Sequence, residues 1–336
     1  MRAAELTAVG EITVQTRPKP TPEPDEVLVK VGACGVCMTD YHMYHGTFEV
    51  ETPMIPGHES AGTIVEVGES VVGYDPGDRV AINPTVPCTA CTYCKRGDTH
   101  LCEHNTSIGG AADTVIDGAF AEYVRVPQTN IEPIDDLPVR HAALAEPLAC
   151  AVHGVSQVDC GPGDSVALIG AGPVGLLLLQ SFRLVGAAPI VVSEPNPDRR
   201  ALAADLGADA VVNPESEDPV ERIREAAGGP VNVGAEAIRL VPTLEQANAV
   251  TAPGGTTLVF GVPDQDATLE INAFDVFFDE TSYQGSYSLT TADFGQAVTL
   301  LKHGRVDVAP LLTDEIELEG LPDAFDRIGN VDGLKN

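Results

Sequence analysis

The segment SVALIGAGPVGLLLL, residues 165–179, decides the fold of this 336-residue chain. Its apolar start is typical of a buried strand, and the long apolar run after the glycines is typical of a helix. Between them lies the pattern G-x-G-x-x-G, whose five candidate cofactor-binding residues are Gly170, Gly172, Pro173, Val174 and Gly175. Such a turn predicts a dinucleotide site, because free N–H groups and the partial positive charge of the helix N-terminus attract a pyrophosphate.

The acidic residue that this pattern requires stands at the end of the next apolar run, PIVVSE, and is Glu194. A carboxylate at that place accepts hydrogen bonds from both hydroxyls of the adenosine ribose and repels a 2′-phosphate. The sequence therefore predicts NAD as the cofactor in preference to NADP. Arg199 and Arg200 follow closely and could reach a phosphate, or they could simply form a solvated helix face.

The chain changes character near residue 150. Before it, short β-type runs at 27–31, 61–67 and 78–82 are broken by Gly and Pro, which favours a compact, mostly-β domain. After it, strand-like and helix-like segments alternate, which predicts an α/β domain with a doubly wound parallel sheet. The amphipathic segment 290–304 is expected to pack back on the first domain.

Composition excludes several classes of function. The chain has 50 Asp and Glu against 19 Lys and Arg, a formal net charge of −31, so nucleic acid and anionic membranes would repel it. It has no apolar run of membrane-spanning length, and residues 1–14 lack a secretory pattern, so we expect a cytoplasmic protein. The acidity favours a halophilic host, with an acidic mesophilic protein as the alternative. No G-x-S-x-G elbow indicates a serine hydrolase.

Four of the eight cysteines are clustered in PCTACTYCKRGDTHLC with the spacing C-x2-C-x2-C-x7-C; they are Cys88, Cys91, Cys94 and Cys102. In a cytoplasmic protein, clustered cysteines indicate a metal site before disulfides. Four thiolates can surround one Zn2+ tetrahedrally and leave no open position, so we predict a structural zinc site.

Several further motifs occur together with these two: GxCxTDxH at 35–42, PGHE at 56–59, GDRV at 77–80 and AEPLACAVHG at 145–154. In this combination the sequence resembles the zinc-dependent medium-chain alcohol and polyol dehydrogenases. The EPL form of the last motif is similar to the threonine, sorbitol and butanediol dehydrogenase branch. The resemblance implies a GroES-like catalytic domain, residues 1–150 and 286–336, around a Rossmann NAD-binding domain, residues 151–285, with the active site in the cleft between them.

The resemblance also implies a second, catalytic zinc, which makes two zinc ions per chain. Its ligands would be Cys37, His58 and Glu146, while Glu59 would lie beside the metal and ligate it directly or in exchange with water. Cys150 lies four residues after Glu146 and could share its helix face, so it remains an alternative. Three protein ligands leave a fourth position open, which is typical of a catalytic zinc.

An alcohol oxygen at that position would lose its proton near neutral pH, and hydride would pass from the zinc-bound alkoxide to the nicotinamide. By the resemblance, Thr39 and His42 would relay the proton to solvent. Asp40 and Asp78 are interpreted as structural carboxylates, either holding a turn or orienting a ligand histidine. The catalytic residues expected are therefore Cys37, Thr39, His42, His58, Glu59 and Glu146.

These expectations combine into an NAD(P)-dependent oxidoreductase that acts on a secondary alcohol, diol, polyol or hydroxyamino acid. One alternative is a sugar 1-dehydrogenase of the same superfamily. A second, from another class, is a zinc-stabilised NAD-binding sensor or scaffold. The family implies a homo-oligomer, dimer or tetramer, and the apolar segment 269–289 is a plausible interface, with ordinary core as the alternative.

Overall fold

The structure, a computed structural model, describes residues 1–112 and 114–328, with side chains as far as residue 325. The strands in chain order are β1 (Arg2–Ala8), β2 (Glu11–Thr16), β3 (Glu26–Gly35), β4 (Glu59–Val67), β5 (Arg79–Ile82), β6 (Thr85–Val86), β7 (Thr106–Ile108), β8 (Thr114–Ile116), β9 (Tyr123–Pro127), β10 (Ile131–Pro133), β11 (Val166–Ile169), β12 (Ile190–Ser193), β13 (Ala210–Val212), β14 (Val231–Glu236), β15 (Thr251–Val259) and β16 (Ser282–Gly285). The α-helices are α1 (Met38–Tyr44), α2 (Thr92–Arg96), α3 (Val139–Ala142), α4 (Ala145–Ser156), α5 (Pro173–Leu184), α6 (Pro197–Asp205), α7 (Pro219–Ala227), α8 (Val241–Val250), α9 (Ala273–Asp279), α10 (Thr291–Lys302) and α11 (Leu321–Ile328).

The chain divides into two compact units. The first contains Met1–Ala149 and the chain from Leu289 onward, and the second consists of Cys150–Ser288. The first unit is thus discontinuous in sequence, and the second is inserted between its two parts. None of the helices in the described part of the chain is both long and apolar enough to cross a membrane.

The first unit is built on a five-stranded sheet with the order β10-β5-β4-β3-β9, in which all neighbours are antiparallel. Val27 and Val29 of β3 and Val124 and Val126 of β9 point into one core, because alternate residues of a strand share a face. The β1–β2 hairpin and the small sheet β6-β7-β8 complete this mostly-β unit.

The pairing of β3 with β4 sets the site that follows. In its register Gly35, the last residue of β3, lies opposite Glu59, the first residue of β4. Cys37 comes two residues after β3, and His58 comes one residue before β4. One antiparallel pairing therefore brings together two motifs that are distant in the sequence.

The second unit is a six-stranded parallel sheet with the order β13-β12-β11-β14-β15-β16. All four residues of β11 are buried, as expected for a central strand with helices on both faces. From β11 the chain forms β12 and β13 on one side and then β14, β15 and β16 on the other side, so the direction in which strands are added reverses at β11. In doubly wound sheets ligands bind at the carboxyl ends of the strands beside such a reversal.

The predicted architecture, a mostly-β domain and a domain with a doubly wound parallel sheet, is confirmed. The runs 27–31 and 61–67 lie within β3 and β4, and 165–170 contains β11. The sequence analysis did not identify β14 or β16, because VNVGAE and SYQG are short and only weakly apolar. Part of the predicted range 286–336, residues 329–336, lies outside the described residues.

Segment 269–289 contains α9 and the edge strand β16. Phe274, Phe277 and Phe278 on α9 are 67%, 75% and 64% exposed. These side chains are not buried, so the alternative of ordinary core is wrong for α9.

The chain returns to the first unit through α10, which begins with a capping box formed by Thr290 and Asp293. At this end the backbone N–H of Thr291 donates to Oγ1 of Thr99 at 3.0 Å, and Thr99 belongs to the four-cysteine loop. At the other end Lys302 pairs with Asp135. The helix is therefore joined to two separate loops of its own unit.

Candidate active site

Cys37, His58 and Glu59 form one cluster of potential metal ligands. One ligand atom from each lies within 4.8 Å of those of the other two, and both His58 and Glu59 are buried. A thiolate, an imidazole and a carboxylate are all ligands that Zn2+ accepts. Glycine next to the cluster leaves room for Glu59, because a Cβ on Gly35 would lie 2.2 Å from Oε2 of Glu59.

Asp40 connects two members of this cluster. Its Oδ2 accepts a hydrogen bond from the backbone N–H of Cys37 at 2.8 Å, and its Oδ1 lies 3.3 Å from Nδ1 of His58. The Asp40 side chain is completely buried at the N-terminus of α1. A carboxylate on Nδ1 orients the ring so that Nε2 is available for a metal, as in carboxylate–histidine–zinc arrangements.

The surroundings of His58 favour its protonated form in the metal-free protein. Burial acts against the charged ring and is the largest influence, but the charge of Asp40 and hydrogen bonds with Asp40 and Cys37 outweigh it. The pKa of His58 is therefore raised well above 6.5. Because a metal ligand must be deprotonated, a metal ion at this cluster must displace that proton.

The other catalytic candidates lie at different places in the first unit. Thr39 and His42 are three residues apart on α1, hence neighbours on one helix face. His42 is 8% exposed and its ring centroid lies 5.0 Å from that of Phe48. Glu146 lies half-buried in the first turn of α4, and it is not among the three residues of the cluster.

The four predicted cysteines do converge. Ligand atoms of Cys88, Cys91, Cys94 and Cys102 lie within 4.8 Å of one another, and the sulfurs of Cys88 and Cys94 are 4.0 Å apart. None of the eight cysteines, all of which lie in the described part of the chain, forms a disulfide. Backbone N–H groups surround the sulfurs: Cys91 donates to Cys88 at 3.4 Å, and Cys88 donates to Cys102 at 3.3 Å.

These contacts give the thiols of the cluster different pKa values. Backbone N–H groups of Cys94 and Glu103 lower the pKa of Cys91 to about 6. Burial and neighbouring thiols raise the pKa of Cys94 to about 12. A cluster that already holds part of its negative charge as thiolate is suited to a divalent cation, which deprotonates the remaining thiols on binding.

The predicted dinucleotide turn has the geometry that its glycines imply. Gly170 has φ +104°, a conformation that favours glycine. A Cβ on Gly175 would lie 2.2 Å from the carbonyl oxygen of Gly170, so only glycine lets α5 pack so close to β11. Among the described residues no side chain caps α5, whose first residue is Pro173. Its free N–H groups, with Val174 and Gly172 beside them, fit a pyrophosphate.

Glu194 is buried at the end of β12 and makes two hydrogen bonds with backbone N–H groups. Oε2 accepts from Ala171 of the dinucleotide turn at 2.8 Å, and Oε1 accepts from Asn196 at 3.0 Å. The carboxylate is thus fixed beside the turn. Arg200 donates to the carbonyl oxygen of Glu194 at 2.7 Å, and Arg199 is half-buried in the first turn of α6.

Sequence reasoning missed a second carboxylate of the same kind. Glu236 ends β14, the neighbour of β11 on the other side, and it is 1% exposed. Its Oε1 accepts from the backbone N–H groups of Ile238 and Arg239 and from the hydroxyl of Thr243. The signal that identified Glu194, a clearly apolar run that ends in glutamate, is weak here because VNVGAE is short and only weakly apolar.

Comparison with known families agrees with the fold. Residues 23–136 match the alcohol dehydrogenase GroES-like domain, and residues 173–303 match the zinc-binding dehydrogenase domain. Together these two regions cover most of the chain.

Individual relatives cover nearly the whole chain. Sorbitol dehydrogenase of Bacillus subtilis is 34% identical over 97% of this chain and 93% of the relative. L-threonine 3-dehydrogenase of Pyrococcus horikoshii is 37% identical over 88% of this chain and 85% of the relative. A Sinorhizobium meliloti structure described as a zinc-binding dehydrogenase bound to NADP superposes with a TM-score of 0.94 and 35% identity, covering 99% and 97% of the two chains. The structure of 2R,3R-butanediol dehydrogenase of Bacillus subtilis superposes with a TM-score of 0.89 and 30% identity, covering 99% of this chain and 98% of that chain.

The fold and the two clusters define an NAD(P)-linked, zinc-dependent oxidoreductase that acts on alcohols. The chain belongs to the zinc-dependent medium-chain alcohol dehydrogenase family, in the branch with sorbitol, threonine and butanediol dehydrogenases. The predicted family and enzyme class are thereby confirmed.

Proposed function

We propose that the enzyme oxidises a secondary alcohol, diol, polyol or hydroxyamino acid to the ketone with NAD, at the cluster of Cys37, His58 and Glu59. The observation that carries this proposal is that ligand atoms of three buried or half-buried potential metal ligands lie within 4.8 Å of one another, and that two of them, Cys37 and His58, contact the buried carboxylate of Asp40. We assign the third ligand to Glu146, with Cys150 as the alternative, and give Glu59 a direct or exchanging contact with the metal.

Zinc supplies Lewis acidity and the nicotinamide ring supplies the hydride acceptor when each is bound. The residues of this chain orient the ligands and move the proton. Asp40 holds the His58 ring and the backbone N–H of Cys37 in place. Thr39 can accept a proton on its hydroxyl and pass its own onward, and His42 on the same face of α1 can take up that proton.

For the cofactor, we propose NAD over NADP because the carboxylate of Glu194 is fixed beside the dinucleotide turn. The structural zinc is assigned to Cys88, Cys91, Cys94 and Cys102. Residues 1–150 and 286–336 are assigned to the catalytic domain, and residues 151–285 to the NAD-binding domain.

The decisive experiment compares Cys37→Ala with the matched variant Cys34→Ala, which lies outside both clusters. Loss of a ligand to a catalytic metal removes several kcal/mol of rate acceleration, so turnover should fall by about 10³-fold or more in Cys37→Ala only. Its zinc content should fall from about two to about one ion per chain, with NADH binding retained. Full turnover in Cys37→Ala would overturn the proposal.

A substrate panel decides between the two candidate activities. Secondary alcohols, diols, polyols and hydroxyamino acids would be assayed beside aldoses with both NAD and NADP. A sugar 1-dehydrogenase would oxidise the aldoses and would not oxidise simple secondary alcohols.

A separate comparison of Glu146→Gln with Cys150→Ala assigns the third zinc ligand. Only the variant of the true ligand should lose the catalytic zinc.

We further propose a cytoplasmic homo-oligomer that associates through β16 and α9. An edge strand with three exposed phenylalanines on the adjacent helix is suited to association with a second copy. Phe277→Asp should shift the molecular mass in solution toward the monomer, as measured by light scattering. Cell fractionation tests the location.

The net charge of −31 supports a halophilic host. Molar salt shortens the screening length to roughly 3 Å and relieves self-repulsion of this size. The melting temperature should therefore be higher in about 1 M KCl than in dilute buffer. Equal or greater stability in dilute buffer would favour the acidic mesophilic alternative.

A further inference from the structure

Arg239 has a backbone conformation that its residue type disfavours. Its φ of +102° lies in the left-handed half of conformational space, where a Cβ makes close contacts and glycine is the ordinary residue. Such strain persists only where the surrounding structure imposes it, and it is concentrated at functional sites.

The buried carboxylate of Glu236 imposes the strain. Its Oε1 accepts hydrogen bonds from the N–H groups of Ile238 at 2.8 Å and Arg239 at 2.6 Å, and from the Thr243 hydroxyl at 2.8 Å. Three donors on one buried oxygen fix the whole turn between β14 and α8. These hydrogen bonds therefore hold Arg239 in its left-handed conformation.

This turn lies directly beside the dinucleotide turn. In the β11–β14 register Glu236 is opposite Ile169, the residue before Gly170. A Cβ on Gly170 would lie 2.6 Å from Cγ1 of Ile238, and a Cβ on Gly261 would lie 2.4 Å from the backbone nitrogen of Arg239. Arg239 thus directly follows the residue that lies against the dinucleotide turn, its own backbone lies against the loop after β15, and it lines a cavity of about 130 Å³ between that loop and the start of α8.

The strand order indicates what crosses this place. With the pyrophosphate at the N-terminus of α5 and the adenosine toward Glu194 on β12, the rest of the dinucleotide must extend to the opposite side. On that side of β11 the next strands are β14 and then β15. The nicotinamide half must therefore pass over the end of β14, where Arg239 is located.

Two buried carboxylates, Glu194 and Glu236, flank this path in a strongly acidic chain. A guanidinium on the β14 side offsets their repulsion of the phosphates and can bind a phosphate with two parallel hydrogen bonds. Glycine at position 239 would fit the backbone without strain but would supply no charge. The charge of the side chain thus explains why arginine, and not glycine, occupies this strained position.

We propose that Arg239 is a dinucleotide-binding residue whose guanidinium contacts the bridging phosphates of NAD as the nicotinamide half crosses the end of β14. This inference rests on the proposed NAD-dependent function. The ligand chemistry recognised is a pyrophosphate diester that carries a ribose on each side.

The test measures binding of NADH, ADP-ribose and AMP to the full chain by calorimetry, together with melting temperatures. Arg239→Gly removes both the charge and the strain. It should bind NADH and ADP-ribose about tenfold or more weakly, bind AMP nearly as before, and melt roughly 2 to 4 °C higher. Arg239→Gln removes the charge but keeps the strain, so affinity should fall without the gain in stability. Arg239→Lys should recover part of the affinity.

Glu280→Gly is the matched control. Glu280 also has a left-handed φ, +52°, but lies after α9 away from the dinucleotide turn, so its NADH affinity should stay at the wild-type value. Unchanged NADH affinity in both Arg239→Gly and Arg239→Gln overturns the inference. A loss confined to NADPH also overturns it, because that result assigns Arg239 to a 2′-phosphate. If the unmodified protein binds neither NADH nor NADPH, the proposed function fails as well.

Discussion

The two metal-ligand clusters are formed in opposite ways. Cys88, Cys91, Cys94 and Cys102 lie within one short segment, and backbone N–H groups of that same segment solvate their sulfurs. Cys37 and His58 are joined by the register of β3 with β4 and by one buried carboxylate. A local cluster thus depends on its own metal for shape, whereas the assembled cluster depends on the sheet. Removal of a ligand from the four-cysteine cluster should therefore lower the stability of the protein. Removal of a ligand from the cluster of Cys37 and His58 should lower its catalytic activity.

The largest effect on stability is expected from Cys94→Ser. Structural zinc contributes folding free energy directly, so loss of one thiolate should cost several kcal/mol and lower the melting temperature by about 10 °C. Zinc analysis and a melting curve would show one ion lost from the loop. Cys160→Ser, outside both clusters, should leave both values unchanged. A stable Cys94→Ser protein would mean that the loop holds its shape without metal.

At the cluster of Cys37, His58 and Glu59, Asp40→Asn should leave the fold intact and lower the affinity for the metal. Second-sphere carboxylates on ligand histidines are typically worth 10- to 100-fold in metal affinity or activity, so a loss of about that size is expected in chelator competition. Asp78→Asn is a suitable control, because Asp78 accepts a hydrogen bond from Asp75 in a turn. Equal losses in the two variants would remove Asp40 from the site.

A smaller effect is expected from Gly35→Ala, since the new Cβ must displace Oε2 of Glu59. Metal affinity should fall severalfold, about 1 kcal/mol, and Glu59→Ala should relieve the effect in the double variant. Gly285→Ala serves as control, because a Cβ there meets nothing within 4 Å. Additive losses in the double variant would show that Gly35 and Glu59 act independently.

The smallest effect distinguishes the clusters by pH in the metal-free protein. The pKa of His58 is raised by folding, so its contribution to the free energy of unfolding is full below pH 6.5 and is lost as pH rises through the higher value. The pKa of Cys91 is lowered from 9.0 to about 6, so its contribution is full above pH 9.0 and is lost as pH falls through about 6.

Melting curves of His58→Gln and Cys91→Ser, recorded after chelation from about pH 5 to about pH 10, should therefore differ from wild type at opposite ends of the range. The same pH dependence in both variants would contradict these assignments.

The spacing of residues alone was sufficient to predict the local parts of the structure. The cysteine loop and the glycine turn each encode their geometry within some fifteen residues, because metal coordination and a strand-to-helix turn are short-range constraints. The pairing of Gly35 with Glu59 is a matter of sheet register, which no local pattern encodes. Only the resemblance to a family linked Cys37 with His58, and the role of Glu146 stays a prediction.

The turn after β14 was missed for a different reason. Arg239 occupies a position where sequence rules expect glycine or asparagine, so no turn signal was present. What imposes the conformation is the side chain of Glu236, three residues earlier and buried. A side-chain to backbone hydrogen bond over three residues thus overrides the backbone preference of arginine.

The hydrogen bond from Thr291 to Thr99 connects the cysteine loop to the start of α10, a distant part of the chain. Because the loop secures the point where the chain re-enters the first unit after a long excursion, a chelator should speed amide deuterium uptake at the start of α10 as well as in the loop itself. A single bound ion would then hold together two parts of the polypeptide that synthesis produces far apart in time.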